Sequence, residues 1–178
     1  MKYLGDTSHF LGMHILVHIK RDRQRDILEL SQEMYVLKIL ERFGMAEGNT
    51  LSTPMQPCLK LSKDNCFKFD AKKAKMAKVP YSLAVGSLMC AIIATRPDIA
   101  FAMGVVSKVM ANPCRKHWDT MKHLLRYLKS TTSKCLCFKN SDAFIVGYTD
   151  ADYADCVDTQ KSTSGYIFYL QAHQYLGD

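Results

Sequence analysis

Arg115-Lys116-His117-Trp118-Asp119-Thr120-Met121-Lys122-His123-Leu124-Leu125-Arg126-Tyr127-Leu128-Lys129 is the stretch on which the fold turns. Trp118, Met121, Leu125 and Leu128 recur at three- and four-residue steps, which places them on one side of an α-helix. Arg115, Lys122, Arg126 and Lys129 follow at steps of seven, four and three residues and form a second stripe opposite the first, interrupted by Asp119. The apolar back of such a helix needs partners, and the residues before it supply two further helices. The first begins near Pro80, a good first-turn residue, and runs to about Ala94 with Tyr81, Ala84, Val85, Leu88, Met89 and Ile92 on one face. Arg96-Pro97 interrupts, and Asp98 is close to the start of the next. Its stripe is Ile99, Ala102, Met103, Val106 and Val109-Met110, and Asn112-Pro113 ends it. After Lys129 the pattern changes to strands at Leu136–Phe138, Phe144–Thr149 and Tyr166–Leu170.

Upstream, Phe10 to Ile19 reads as a strand whose partner is Asp26 to Leu30, with Lys20-Arg21-Asp22-Arg23-Gln24-Arg25 as the turn. Ser31 stands where a helix N-cap belongs and Glu33 lies in the first turn. Met34, Leu37, Leu40 and Phe43 are expected to form the buried face, and Gly44 to stop the helix. Residues 50–79 form an irregular, basic connector. The expected class is α+β: an N-terminal β-hairpin and helix (1–49), the connector, a central helical bundle (80–134) and C-terminal antiparallel strands (135–178).

The chain of 178 residues is long enough for one ordinary domain or two small ones, and at 48% hydrophobic and 23% charged it is globular rather than disordered. A net charge of +7 favours an anionic partner, nucleic acid being the commonest. Charge is unevenly placed: lysines crowd between Lys60 and Lys78, whereas Asp142, Asp150, Asp152, Asp155, Asp158 and Asp178 face only Lys161 at the other end. The seven cysteines include no Cys-x-x-Cys, which disfavours a zinc knuckle. Cys135 and Cys137 point the same way from a strand and can serve as small apolar residues. The pattern fits reduced thiols inside a cell. The N-terminus lacks the apolar run of a signal peptide, and Leu83 to Ala94 is shorter than the about 20 residues a membrane span needs. An intracellular protein, cytoplasmic or nuclear and without a membrane partner, is expected; oligomeric state is left open.

Two features carry chemistry. The cationic stripe of Arg115, Lys122, Arg126 and Lys129 can lie along phosphates and bind without reading bases; a solvated helix face is the bland alternative. Phe144 to Asp150 reads as a short buried strand that ends in an acid and, through Lys161-Ser162-Thr163-Ser164-Gly165, turns back into a second strand. Asp152 and Asp155 read as turn-solvating residues rather than ligands. The six histidines offer no metal-ligand spacing: His14 and His18 share a strand face, and His117 and His123 flank a helix as surface or half-buried residues.

Several strings, taken in order, resemble the polymerase polyproteins of copia-type LTR retrotransposons. They are Phe10-Leu11-Gly12; Leu30-Ser31-Gln32 with Arg42-Phe43-Gly44-Met45; Ser52-Thr53-Pro54-Met55; Tyr81-Ser82-Leu83-Ala84-Val85-Gly86-Ser87-Leu88; and Thr95-Arg96-Pro97-Asp98-Ile99-Ala100-Phe101-Ala102. His117-Trp118, Leu125-Arg126-Tyr127-Leu128-Lys129, Gly147-Tyr148-Thr149-Asp150-Ala151-Asp152 and Lys161-Ser162-Thr163-Ser164-Gly165-Tyr166 continue the series. The resemblance implies a thumb-like helical region of a reverse transcriptase joined to the first hairpin of a ribonuclease H-like domain. It places Phe10, Leu11 and Gly12 at a nucleic-acid contact, and Asp150 at a ribonuclease H carboxylate position that holds Mg in the parent enzyme.

The resemblance also implies what to expect of activity. The family's polymerase Tyr-x-Asp-Asp string is absent, and of the ribonuclease H acids only Asp150 maps, so two-metal chemistry is not expected and no cofactor is expected for this piece. The expectation is a truncated fragment with residual, sequence-independent affinity for an RNA–DNA or DNA duplex. The alternatives are a Mg-dependent ribonuclease H-type nuclease using Asp150, or a reused non-catalytic interaction or effector module.

Overall fold

The computed structural model describes residues 9–10, 13–14, 18–56, 76–139, 145–154 and 159–170. The elements run β1 (His9–Phe10), β2 (Met13–His14), β3 (His18–Asp22), β4 (Ile27–Ser31), α1 (Glu33–Arg42), α2 (Tyr81–Ala94), a 3₁₀ turn (Pro97–Ile99), α3 (Ala100–Ser107), α4 (Arg115–Ser130), β5 (Leu136–Lys139), β6 (Ile145–Ala151) and β7 (Ser164–Leu170). The chain mixes helix and antiparallel sheet, as expected.

The four helices share one core. Leu88 of α2, Ile99 before α3, Val106 of α3, and Met121, Leu124, Leu125 and Leu128 of α4 are fully buried, and Val36, Ile39 and Leu40 of α1 close the cluster. Trp118 is only half-buried and packs on the rings of Phe43 and Tyr81, each with its centroid 6.4 Å away. The stripe expected for α4 therefore holds, but its centre is Leu124 and Leu125, with Trp118 at the margin. Met89 and Met110 were expected inside; both are exposed, and Ser87 and Ala91 take the inward positions beside Leu88 in α2. α2 is apolar nearly all round, so its periodicity does not mark the inner side.

The buried face of α1 is Val36, Ile39 and Leu40 with Phe43 packed against it, whereas Met34 and Leu37 are exposed. Steps of three alone drift around a helix. The set 36, 39, 40 and 43 keeps the i, i+3, i+4, i+7 rhythm of a true face. Ser31 belongs to β4 rather than capping in the usual place, although its hydroxyl accepts the Glu33 N–H at 3.2 Å. Gly44 stops the helix as expected. Its φ of +64° lets its own N–H reach the Glu41 carbonyl (3.0 Å) and the Met45 N–H reach the Leu40 carbonyl (2.8 Å).

The first hairpin differs from the expected one. β3 starts at His18 and contains Lys20, Arg21 and Asp22, with Lys20 opposite Glu29 and Asp22 opposite Ile27. The turn is shorter because the Asp22 carboxylate accepts the N–H groups of Gln24 and Arg25 and Asp26 adopts a φ of 52°. Before it, Phe10 pairs with Met13, so the expected single strand from Phe10 is divided. His14 and His18 accordingly lie on different strands.

β5, grouped by the sequence with the C-terminal strands, is hydrogen-bonded to β4, giving the order β3-β4-β5. β6 and β7 pair with each other in a separate antiparallel hairpin from Ile145↔Leu170 to Ala151↔Ser164. The expected burial of the strand ending in Asp150 is not observed: apart from a half-buried Val146, β6 is exposed. Gly147 lets the Phe168 ring lie over the strand: a Cβ there would fall 2.8 Å from that ring and push it aside.

Candidate nucleic-acid interface

The cations of the stripe come from α4, whose opposite face is fixed in the core. Its N-terminus is set by a reciprocal cap. The Cys114 N–H donates to Nδ1 of His117 at 3.0 Å, and the Cys114 side chain takes the His117 backbone N–H. His117 is fully buried by this role, a correction to its expected surface or half-buried placement.

The four cations do not share one fate. Arg115 and Lys122 both approach the same Asp119 oxygen at 3.3 Å. Lys129 donates to the Gly48 carbonyl at 2.8 Å. Arg126 is exposed, and its guanidinium has no partner among the described residues. The Lys129 contact is part of a clamp. The Leu51 N–H reaches the Arg126 carbonyl (3.4 Å), Ser130 Oγ donates to the Leu51 carbonyl (2.6 Å), and His123 Nε2 sits 2.9 Å from the Thr53 carbonyl. The start of the connector thus lies along α4 and covers one margin of the stripe. Sequence spacing fixes the angular position of a cation but carries no sign of a segment lying 81 residues away.

The other polar cluster is a latch. Arg96, with a side chain only 3% exposed, donates from Nε and Nη2 to the two oxygens of Asp98 at 2.9 and 2.7 Å. Its Nη1 donates to the Thr131 carbonyl and its Nη2 to the Thr131 hydroxyl, so a cation caps the C-terminal end of α4. Tyr127 donates to Asp98 at 2.7 Å and carries the guanidinium 5.7 Å from its ring centre. Burial alone would raise the Asp98 carboxyl, but the Arg96 fork and the Tyr127 hydroxyl outweigh it and hold Asp98 below its ordinary value. Burial, then the Asp98 carboxylate, pushes the Tyr127 phenol up. Beside this, Thr95 donates to Gln32 Oε1 at 2.7 Å, tying the end of α2 to the start of α1. The sequence showed these residues as a string without a role. Their signal was an Arg and an Asp two positions apart at a helix junction.

Asp150 is exposed near the end of β6, and its Oδ1 accepts the adjacent Ala151 N–H at 2.9 Å. The Asp152 carboxylate accepts the Thr163 N–H across the hairpin at 3.0 Å. Asp155 and Asp158 lie outside the described residues, as do Leu11, Gly12 and the lysines from Lys60 to Lys75. Phe10 is placed in β1. Among the described residues no group of three or more His, Cys, Asp or Glu side chains is arranged to hold a metal. No helix among them is long and apolar enough to cross a membrane.

No protein-family model and no solved structure matches this chain. Curated proteins do. The chain is 51% identical over 168 residues to the retrovirus-related Pol polyprotein from transposon TNT 1-94 of Nicotiana tabacum, and 35% identical over 162 residues to that from transposon RE1 of Arabidopsis thaliana. These alignments cover 94% and 90% of the chain but 12% and 11% of the relatives, so the chain spans about an eighth of their length. It is also 48% identical over 96 residues to secreted RxLR effector protein 161 of Plasmopara viticola, covering 53% of the chain and 68% of that protein. With nearly its whole length aligned at up to 51% identity, the chain belongs to the copia-type retrotransposon Pol polyproteins.

Proposed function

We propose that this chain is a nucleic-acid-holding, non-catalytic portion of a retrotransposon Pol polyprotein, with the outer face of α4 lying along the phosphates of an RNA–DNA or DNA duplex. The observation that carries the reading is the exposed Arg126, without a partner among the described residues, on a helix whose other side is locked in the core. Arg115 and Lys122 add charge diluted by Asp119, and Lys129 is committed to the Gly48 carbonyl. The reading therefore ranks Arg126 first among the four. Duplex affinity measured by fluorescence anisotropy should fall steeply with salt, and Arg126→Ala should lower the slope of log K against log salt by about 1. Lys129→Ala should change it less. No binding at low salt, or an unchanged slope in Arg126→Ala, sinks the reading. Asp150→Asn should leave affinity unchanged.

The relative named as a secreted effector supports a second reading, an interaction module that retains the helices. Capture of a protein partner with equal strength at high and low salt would favour it over the first.

A further inference from the structure

Cys135 and Cys137 flank the first residue of β5, and their sulfur atoms lie 3.5 Å apart without a disulfide between them. Both are partly exposed, so the pair can be reached from solvent. Cys137 is directly opposite Glu29 on β4, and Glu29 is directly opposite Lys20 on β3. The Glu29 carboxylate is turned to the Lys20 ammonium at 3.7 Å. One row across the sheet thus carries the Cys137 thiol, a carboxylate and its own countercharge, with the Cys135 sulfur beside that thiol.

We propose that Cys135 and Cys137 form a two-thiolate site for a thiophilic d¹⁰ divalent cation of the zinc and cadmium class. A metal bonded to both sulfurs at about 2.3 Å would see them, at their 3.5 Å separation, under an angle of about 100°. That is close to a tetrahedral corner and far from the straight line that two-coordinate ions adopt. The pair needs almost no rearrangement to act as two corners, leaving the remaining positions to solvent. Charge also closes: two thiolates neutralise the dication, and Lys20 already neutralises Glu29, so loading adds no unbalanced charge to the sheet. Binding is an exchange in which the cation enters and the two thiol protons leave to solvent, with no change of oxidation state. Two protein ligands make an exchangeable site, filled when such ions are plentiful, rather than a structural one.

The test is titration of the full chain with Cd²⁺ under a phosphine reductant, read by the ultraviolet sulfur-to-cadmium absorption. One Cd²⁺ per chain, release of two protons, and loss of the band in both Cys135→Ser and Cys137→Ser but not in Cys90→Ser support the site. No band, or one that survives in both serine variants, overturns it. A second readout needs no variant. Cd²⁺ should slow alkylation of Cys135 and Cys137 in the unaltered chain relative to the exposed Cys90, and equal slowing at all three would also overturn it.

Discussion

The helical body and the β6–β7 hairpin are both apolar, yet only one of them buries what it carries. In the body, Leu88, Leu124, Leu125 and Leu128 are shielded completely. In the hairpin, Tyr166 remains 75% exposed and Phe168 62%. The difference lies in what stands opposite. Each helix of the body has another helix at its back. Among the described residues, the faces of the two-stranded hairpin carry neighbouring rings: Tyr166 beside Phe168 on one, and Tyr148 beside Tyr169 on the other, where Val146 and Ile167 complete the lining of a shallow hollow of about 450 Å³. Isolated two-stranded ribbons are marginal in water. The same hydrophobic content therefore stabilises one region and leaves the other as surface.

The sharpest way to break the contrast is to remove the charge at the heart of the body. Arg96→Ala strands Asp98 and two Thr131 oxygens, and should cost about 3–5 kcal/mol, read as a fall in the urea midpoint of far-UV circular dichroism. An apolar deletion compares the two regions directly. Leu125→Ala should cost about 2–5 kcal/mol, whereas Phe168→Ala should stay within about 0.5 kcal/mol in the same transition. An equal loss in both would mean that the hairpin shares the body's core.

Acid sharpens the comparison further. The folded Asp98 carboxyl titrates below its unfolded value, so its contribution is complete above about pH 3.9 and is lost as pH falls through the lower folded value. Unfolding of the body should steepen in that acidic window. Asp98→Asn should flatten the profile there while lowering stability at neutral pH, and an unchanged profile would remove Asp98 from the account.

How much of this was legible follows the same division. The positions of the three central helices, the apolar back of α4 and the stop at Gly44 were readable, because helix periodicity, proline and glycine are local signals. The inward face of α2 was not, because nearly every side of that helix is apolar. The partner of β5 was not either, since a four-residue strand does not state which edge it joins. The candidate interface was half legible. The cations were found by spacing, but their engagement by Asp119 and by the Gly48 carbonyl depends on rotamers and on distant chain. The thiol pair was visible as two cysteines on one side of a strand, and only its sulfur separation gave it a possible chemistry.

The clamp of Lys129 on Gly48 has a consequence for synthesis. At about 5–20 residues per second, the ribosome needs about 4–16 s to travel the 81 residues from one partner to the other. Over that interval α1 exists while Leu124, Leu125 and Leu128 do not, and Val36, Ile39 and Leu40 have no α4 to cover them. The nascent chain thus carries an uncovered apolar helix until the last turns of α4 clear the exit tunnel. That interval is when a chaperone has most to hold.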